Sequence, residues 1–136
     1  MAPIAETLTK AGIRPSVQRV RILDYLRTKK NHPTVETIYV ALAPEIPTLS
    51  RTTVYNTLEL FRERELVISL DFGEGSVRYD ADTSPHVHFG CEKCGAVFDV
   101  FIAPEDIRKK LPQGFVLKKT QLYAFGLCAK CAKKEA

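Results

Sequence analysis

The sequence predicts an α+β protein with an N-terminal winged helix-turn-helix domain followed by a small α/β domain that carries a four-cysteine zinc site. Helical apolar periodicity dominates the first half, a short β-rich hairpin follows it, and two Cys-x-x-Cys pairs lie among short strands in the second half. The pattern changes at about residues 80–84. We therefore expect domains at 1–80, with a hinge to about 84, and at 85–136.

The first two predicted helices carry a local excess of positive charge. Ile4–Lys10 predicts a short helix that Gly12 ends, and Pro15 suits the first turn of a second helix that runs to Lys29. The basic residues among the first thirty are Lys10, Arg14, Arg19, Arg21, Arg27, Lys29 and Lys30. They suit contact with phosphates, and a solvated helix surface is the alternative.

The next two helices predict a helix-turn-helix motif. Thr34 is expected to cap a helix that ends near Ala43, and Ser50 to cap the next one. The second helix of such a motif enters the major groove, so its polar face is the candidate DNA-binding surface. The candidate contacts are Arg51, Thr52, Thr53, Tyr55 and Asn56, with Arg19 from the basic helix. Asparagine suits a bidentate contact with adenine. Thr53 and Tyr55 have packing or capping as an alternative role.

Short strands complete both domains. Leu66–Phe72 and Ser76–Asp80, joined by a glycine-rich turn, predict the wing. In the second domain the predicted strands are His86–Cys91, Ala96–Ile102 and Phe115–Phe125, with a helix at Pro104–Leu111.

The four cysteines form two pairs, Cys91-x-x-Cys94 and Cys128-x-x-Cys131, a pattern typical of structural zinc sites. With four thiolates around the ion, such a site holds structure and performs no catalysis. Two disulfides or a redox pair are the alternatives. The chain starts without an apolar signal segment and has no stretch that would span a membrane, so we expect a cytoplasmic, reduced protein.

A second group of candidate metal ligands precedes the cysteines. His86 and His88 alternate along a strand and therefore point to the same side. Asp80 and Asp82 come before them, and a hairpin would bring Asp99 opposite one of the histidines. Imidazole and carboxylate ligands suit Fe(II), Mn(II) or Zn(II), and an ordinary surface histidine pair is the alternative. His32, which stands alone before a proline, is by default a turn or capping residue.

The order of these motifs resembles the ferric uptake regulator (Fur) superfamily over essentially the whole chain. The resemblance is carried by residues 51–56, Arg78-Tyr79-Asp80, the His-x-His pair and both cysteine pairs. It implies a homodimeric repressor of double-stranded DNA with structural Zn2+ at the four cysteines. It also implies a regulatory ion, Fe2+ or Mn2+, at the following ligands: His32, Asp80, His86, His88 and Asp99.

Two positions resemble the peroxide-responsive branch, the PerR type. Iron-sensing members tend to have glutamate where this chain has Asp99, and arginine where it has Asn56. The resemblance implies that hydrogen peroxide is the signal and that His32 and His86 are oxidised at bound iron. It further implies an A/T-rich palindromic operator. Val87 and Thr120 lack the side chains that a further metal site of many Fur proteins requires.

Two other functions are alternatives. A sensor of iron, zinc or manganese availability would have the same fold, and the ligand set does not choose among these ions. A zinc hydrolase would need an open coordination position and a separate general base. Five protein ligands leave little room for a reactive water, so we expect a sensor and not an enzyme.

The substitution Asp99→Glu tests the choice of branch. We expect the variant to repress normally but to respond less to peroxide, because the carboxylate would be the one found in iron sensors. Operator release after a fixed peroxide dose measures this, with the wild-type protein as the control. Equal sensitivity of the two proteins would contradict the prediction.

Overall fold

A computed structural model describes residues 3–84 and 86–135 of the chain. The chain forms two compact units, one ending at Thr83 and the other starting at Ser84. None of the helices among the described residues is long and apolar enough to cross a lipid bilayer.

Four helices make up most of the N-terminal unit: α1 (Ile4–Lys10), α2 (Val17–Lys29), α3 (Val35–Leu42) and α4 (Arg51–Glu63). Ser16, Thr34 and Ser50 cap the last three, because each side-chain hydroxyl accepts a hydrogen bond from the N–H three residues later. The predicted caps Thr34 and Ser50 are confirmed. Pro15 lies outside α2, since Ser16 already occupies the capping position.

One apolar core holds these helices together. Every helix contributes fully buried side chains, among them Leu8, Ile22, Ile38 and Phe61. Tyr79 joins this core from the wing. A buried aliphatic or aromatic side chain stabilises the fold by about 1.5–3 kcal/mol, so this core fixes how α3 and α4 pack.

The wing is a two-stranded antiparallel sheet of β1 (Ile68–Leu70) and β2 (Arg78–Asp80). Both strands are shorter than predicted. The Asp71 carboxylate accepts a hydrogen bond from the Gly73 N–H at 2.9 Å, which turns the chain away from the sheet directly after β1. On its other side β2 meets the segment before α3 through a bridge between Arg78 and Thr34.

The C-terminal unit is built on a three-stranded sheet. Its elements are β3 (His86–Cys91), β4 (Val97–Phe101), α5 (Pro104–Arg108), β5 (Leu122–Gly126) and α6 (Ala129–Glu135). The strand order is β4-β3-β5, and the central β3 is antiparallel to β4 and parallel to β5.

The third strand and the last helix differ from the sequence prediction. A strand was expected from Phe115, but the strand that pairs with β3 starts only at Leu122. Phe115 and Val116 are instead 65% and 80% exposed. Helix α6 was not predicted from the sequence.

Gly12 gives a stability prediction for the N-terminal unit. Its φ is +77°, and an added Cβ would lie 2.5 Å from Nη1 of Arg64, which donates hydrogen bonds to the carbonyls of Ala11 and Gly12. We expect Gly12→Ala to lower the free energy of unfolding by about 1–2 kcal/mol from backbone strain. Loss of the Arg64 hydrogen bonds should add about 1 kcal/mol.

Gly75→Ala is the matched control, since Gly75 also has a positive φ, +87°, but no atom lies within 4 Å of the added Cβ. Urea unfolding should therefore show a larger loss for Gly12→Ala than for Gly75→Ala. Equal losses would mean that the Arg64 contacts do not stabilise α1.

Candidate metal centres and DNA-binding surface

The fold brings the four cysteines together at one end of the C-terminal sheet. Cys91 ends β3 and Cys94 lies in the turn to β4, whereas Cys128 follows β5 and Cys131 lies in α6. Parallel pairing places Cys91 opposite Gly126, so the second pair begins beside the first. The four Sγ atoms all lie within 4.8 Å of one another.

The spacing of the sulfurs fits a tetrahedral ion. Zinc–sulfur bonds of about 2.3 Å put neighbouring sulfurs about 3.8 Å apart in a tetrahedron. Sγ of Cys94 and Sγ of Cys128 are 3.8 Å apart. A disulfide would require about 2.05 Å, and all four cysteines are free.

Backbone hydrogen bonds favour a thiolate within this cage. The N–H groups of Cys94 and Cys128 donate to Sγ of Cys91 at 3.5 and 3.4 Å, and they lower the pKa of Cys91 to about 6. Burial raises the pKa of Cys131 to about 12, and hydrogen bonding to Cys128 adds to this. Without a cation one sulfur is therefore ready to lose its proton and another is not, whereas a bound metal deprotonates its thiol ligands.

The C-terminal unit also groups two imidazoles and a carboxylate. The register of the β3–β4 hairpin places Asp99 directly opposite His88. Oδ1 of Asp99 lies 3.4 Å from Nε2 of His86 and 3.7 Å from Nε2 of His88. These separations are long for hydrogen bonds. They are close to the roughly 3.0–3.5 Å that separates neighbouring ligands around an ion with bonds of about 2.1 Å.

The ring of His86 is oriented for ligation through Nε2. Its Nδ1 lies 2.6 Å from the carbonyl oxygen of Ser84, which only accepts hydrogen bonds. Nδ1 therefore carries the proton, and the lone pair of the neutral ring is on Nε2, the atom that faces Asp99.

The N-terminal unit brings His32 and Asp80 together. Nε2 of His32 is 3.5 Å from Oδ2 of Asp80, and both side chains are largely buried. His32 has a φ of 49°, a backbone conformation that is uncommon outside glycine and often marks a functional position. Nη1 of Arg78 donates to the His32 carbonyl at 3.2 Å, which helps to hold this conformation. Asp82 lies in the following turn and donates its N–H to Oδ1 of Asp80.

Helix α4 presents a polar face to solvent at its N-terminal half. Arg51, Thr52, Tyr55 and Asn56 are exposed, whereas the side opposite to them packs into the core. Thr53 is half-buried, and its Oγ1 lies 2.9 Å from Oγ of the capping Ser50. Four of the five predicted contacts on this helix are thus accessible, and Thr53 takes part in the cap.

The two predicted arginine contacts have partners within the protein. Nε and Nη2 of Arg51 donate to the carboxylate of Glu36 at 2.6 and 3.0 Å, and the guanidinium stacks on the Tyr39 ring. Nη1 of Arg19 donates to the carbonyl of Arg14. Arg51 is therefore already oriented by α3.

Sequence reasoning missed a hydrogen bond inside the N-terminal unit. The Tyr79 hydroxyl donates to Oε2 of Glu59 in α4 at 2.9 Å. Strand alternation between Arg78 and Asp80 would have predicted that Tyr79 points to the core. No pattern in the sequence indicated which acceptor it would find there.

The four-cysteine cage predicts one thiophilic divalent ion per chain. Protein produced with Co(II) should show the strong near-ultraviolet absorption of cobalt–thiolate bonds, and Cys128→Ser should reduce it because one sulfur ligand is lost. His88→Ala is the control, and it should leave the absorption unchanged. An unchanged band in Cys128→Ser would exclude this cage as the binding site.

Comparison with known proteins identifies the family. A sequence profile of the ferric uptake regulator family matches residues 10–125. The peroxide operon regulator of Bacillus subtilis (strain 168) is 41% identical over 133 residues, which cover 96% of this chain and 92% of that protein.

Two solved structures are similar over nearly the full length. The ferric uptake regulator of Pseudomonas aeruginosa with manganese is 28% identical, with a TM-score of 0.79 and coverage of 94% of this chain and 99% of that chain. PerR of Streptococcus pyogenes, solved in a study of peroxide sensing and gene regulation, is 29% identical, with a TM-score of 0.55 and coverage of 94% and 90%. The chain belongs to the ferric uptake regulator family.

Proposed function

We propose that this protein is a metal-dependent DNA-binding transcriptional repressor that responds to hydrogen peroxide. The observation that carries the proposal is the group formed by His86, His88 and Asp99, two imidazoles and an aspartate carboxylate on paired strands. The similarity to a peroxide operon regulator supports the same function. Such a regulator binds its operator and is modified by its signal, and it is not an enzyme.

The cysteine cage is proposed to hold Zn2+ permanently. Cys91, Cys94, Cys128 and Cys131 provide four sulfur ligands and leave no open coordination position. The ion would cross-link β3 and the turn after it to the segment that begins α6. Its role is therefore to stabilise the C-terminal unit.

The regulatory ion is proposed to be Fe2+ or Mn2+, bound by His86, His88 and Asp99 together with His32 and Asp80. These ligands come from both units of the chain. An ion that requires all five favours the arrangement in which they meet, so binding shifts the population toward that arrangement. The metal thereby acts as a corepressor.

The operator is proposed to be an A/T-rich palindrome of double-stranded DNA read by a homodimer. The proposed contacts in the major groove lie on the exposed face of α4 and are Thr52, Tyr55 and Asn56. The phosphate backbone of the DNA is proposed to be contacted by Arg51 and Arg19. Thr53 would act by capping α4 and by positioning these residues. Binding to DNA agrees with a cytoplasmic location.

The dimer is proposed to form through the C-terminal sheet. Strand alternation places Phe98 and Val100 of β4 on the same face of this sheet as Leu122 of β5. These three side chains are 45%, 49% and 38% exposed. Val87 and Phe89 of β3 lie between them. An exposed apolar face of this kind is typical of an interface, and a second copy of the chain is the proposed occupant.

The response to peroxide is proposed to be oxidation of the histidine ligands. Fe(II) held by these residues would supply the electron that reduces hydrogen peroxide, and the oxidant so formed would act on the nearest side chains. His32 and His86 are the proposed targets. An oxidised imidazole is a poorer ligand, so the chain loses the contacts that favour the DNA-binding arrangement. Mn(II) occupies the same ligands without this reaction.

A sensor of iron, zinc or manganese availability is the second candidate. Imidazole and carboxylate ligands accept several divalent ions, and the structural similarity to a ferric uptake regulator holding manganese favours it. The two candidates differ in what peroxide does to the iron-loaded protein.

Fluorescence anisotropy with an A/T-rich palindromic DNA distinguishes them. Fe(II)-loaded and Mn(II)-loaded protein are each measured before and after a brief low dose of peroxide. We expect only the iron form to release DNA, and fresh metal should fail to restore binding because the ligands have changed covalently. The Mn(II) form is the matched control. If both forms stay bound, the protein senses metal availability and the peroxide proposal is wrong.

A further inference from the structure

Tyr79 connects strand β2 to helix α4 by one directional contact. The residue is 1% exposed, and its hydroxyl donates to Oε2 of Glu59 at 2.9 Å. Burial and the Glu59 carboxylate raise the pKa of Tyr79, so the phenol keeps the proton that it donates. Nε of Arg62 donates to the other oxygen of Glu59 at 3.1 Å, which fixes the orientation of the carboxylate.

The backbone of the same strand holds both proposed ligands of the N-terminal unit. The Tyr79 N–H donates to the Pro33 carbonyl at 2.9 Å. The Arg78 side chain donates to the carbonyl of His32. The backbone of Arg78 also pairs with that of Thr34 in an antiparallel β-bridge. Asp80 is the next residue of the strand. A shift of His32 or Asp80 therefore moves the backbone from which the Tyr79 ring extends.

Glu59 lies on the part of α4 that would respond to such a shift. It follows Tyr55 by four residues, so the two side chains share one face of the helix. Tyr55 is 51% exposed and is one of the proposed DNA contacts. A hydrogen bond at Glu59 thus acts one turn from the surface that meets DNA.

We propose that Tyr79 is a positioning residue that transmits metal occupancy at His32 and Asp80 to helix α4 through Glu59. The inference rests on the proposed function, because it requires a metal that controls DNA binding. A hydrogen bond suits this role better than packing, because its strength depends steeply on distance and angle, whereas a packed ring tolerates small shifts. The ring itself belongs to the core and would remain after removal of the hydroxyl.

The alternative is a purely structural role, in which Glu59 only accepts the hydrogen bond that a buried hydroxyl generally requires. In that case removal of the hydroxyl lowers stability and leaves the response to metal unchanged. The ratio of the DNA affinities with and without metal distinguishes the positioning role from the purely structural role, because a change in stability alone does not alter this ratio.

The test uses full-length Tyr79→Phe with an A/T-rich palindromic DNA, metal-free or loaded with Mn(II). We expect the Mn(II)-induced gain in DNA affinity to fall about tenfold relative to wild type, which corresponds to about 1.4 kcal/mol. Coupling is reciprocal, so the effect of DNA on Mn(II) affinity should fall by the same factor. Glu59→Gln should lower the gain as well, and the double variant should lose no more than Tyr79→Phe alone.

Ile22→Val is the matched control, since it removes one methylene from a fully buried core residue of α2 and leaves both partners of the Tyr79–Glu59 hydrogen bond unchanged. It should lower the midpoint of urea unfolding and keep the full Mn(II)-induced gain. A full gain in Tyr79→Phe, or an equal loss of gain in Ile22→Val, would overturn the coupling role. If wild-type protein shows no gain with metal, the proposed function itself fails.

Discussion

The two pairings of β3 are the constraint on which the C-terminal unit depends. This strand supplies His86, His88 and Cys91, and each neighbouring strand completes a different group of ligands. The antiparallel partner β4 places Asp99 opposite His88, and the parallel partner β5 brings the chain to Cys128 beside Cys91. A register shift of one residue would turn the side chains of β3 to the opposite face and disrupt both groups together.

The two groups differ in the chemistry that they permit. Four sulfur ligands close the coordination sphere of a tetrahedral ion, and such an ion contributes folding free energy directly. Imidazole and carboxylate ligands bind harder and more exchangeable ions, and Asp99 is about one quarter exposed. One strand therefore links a site suited to permanent structure with a site suited to a reversible signal. Under the proposed function, an ion in the cysteine cage would hold the histidines in place while the ion bound by the histidines exchanges.

Local patterns were enough to predict much of this molecule. Capping at Thr34 and Ser50 follows from hydroxyl chemistry, and the Asp99 hairpin follows from strand alternation and a short turn. The parallel course of β5 was not predictable, because it depends on a crossover whose end points leave no periodic signal. His32 was identified only through the family resemblance, since its proximity to Asp80 arises from pairing of distant segments. The Tyr79–Glu59 contact is missed for the same reason.

The net charge of the N-terminal unit gives a reason why its binding to DNA would need control by a metal. Residues 1–83 contain eleven basic and eleven acidic side chains, so the formal net charge of the unit is zero at neutral pH when its one histidine, His32, is counted as neutral. Several of its arginines are also engaged with carboxylates, including Arg21 with Glu45 and Arg51 with Glu36.

Non-specific affinity for DNA comes almost entirely from neutralised phosphates, and in this unit as a whole the seven basic residues of positions 10–30 are balanced by acidic residues, most of them elsewhere in the unit. Its affinity must then depend on where a few exposed side chains of α4 stand relative to the grooves and to a second copy of the chain. A metal that binds residues from distant parts of the chain would act chiefly by changing the positions of these side chains. Because the N-terminal unit has no net charge, its binding to DNA would depend on the positions of these side chains. The binding or loss of a single ion would therefore suffice to switch the protein on or off DNA.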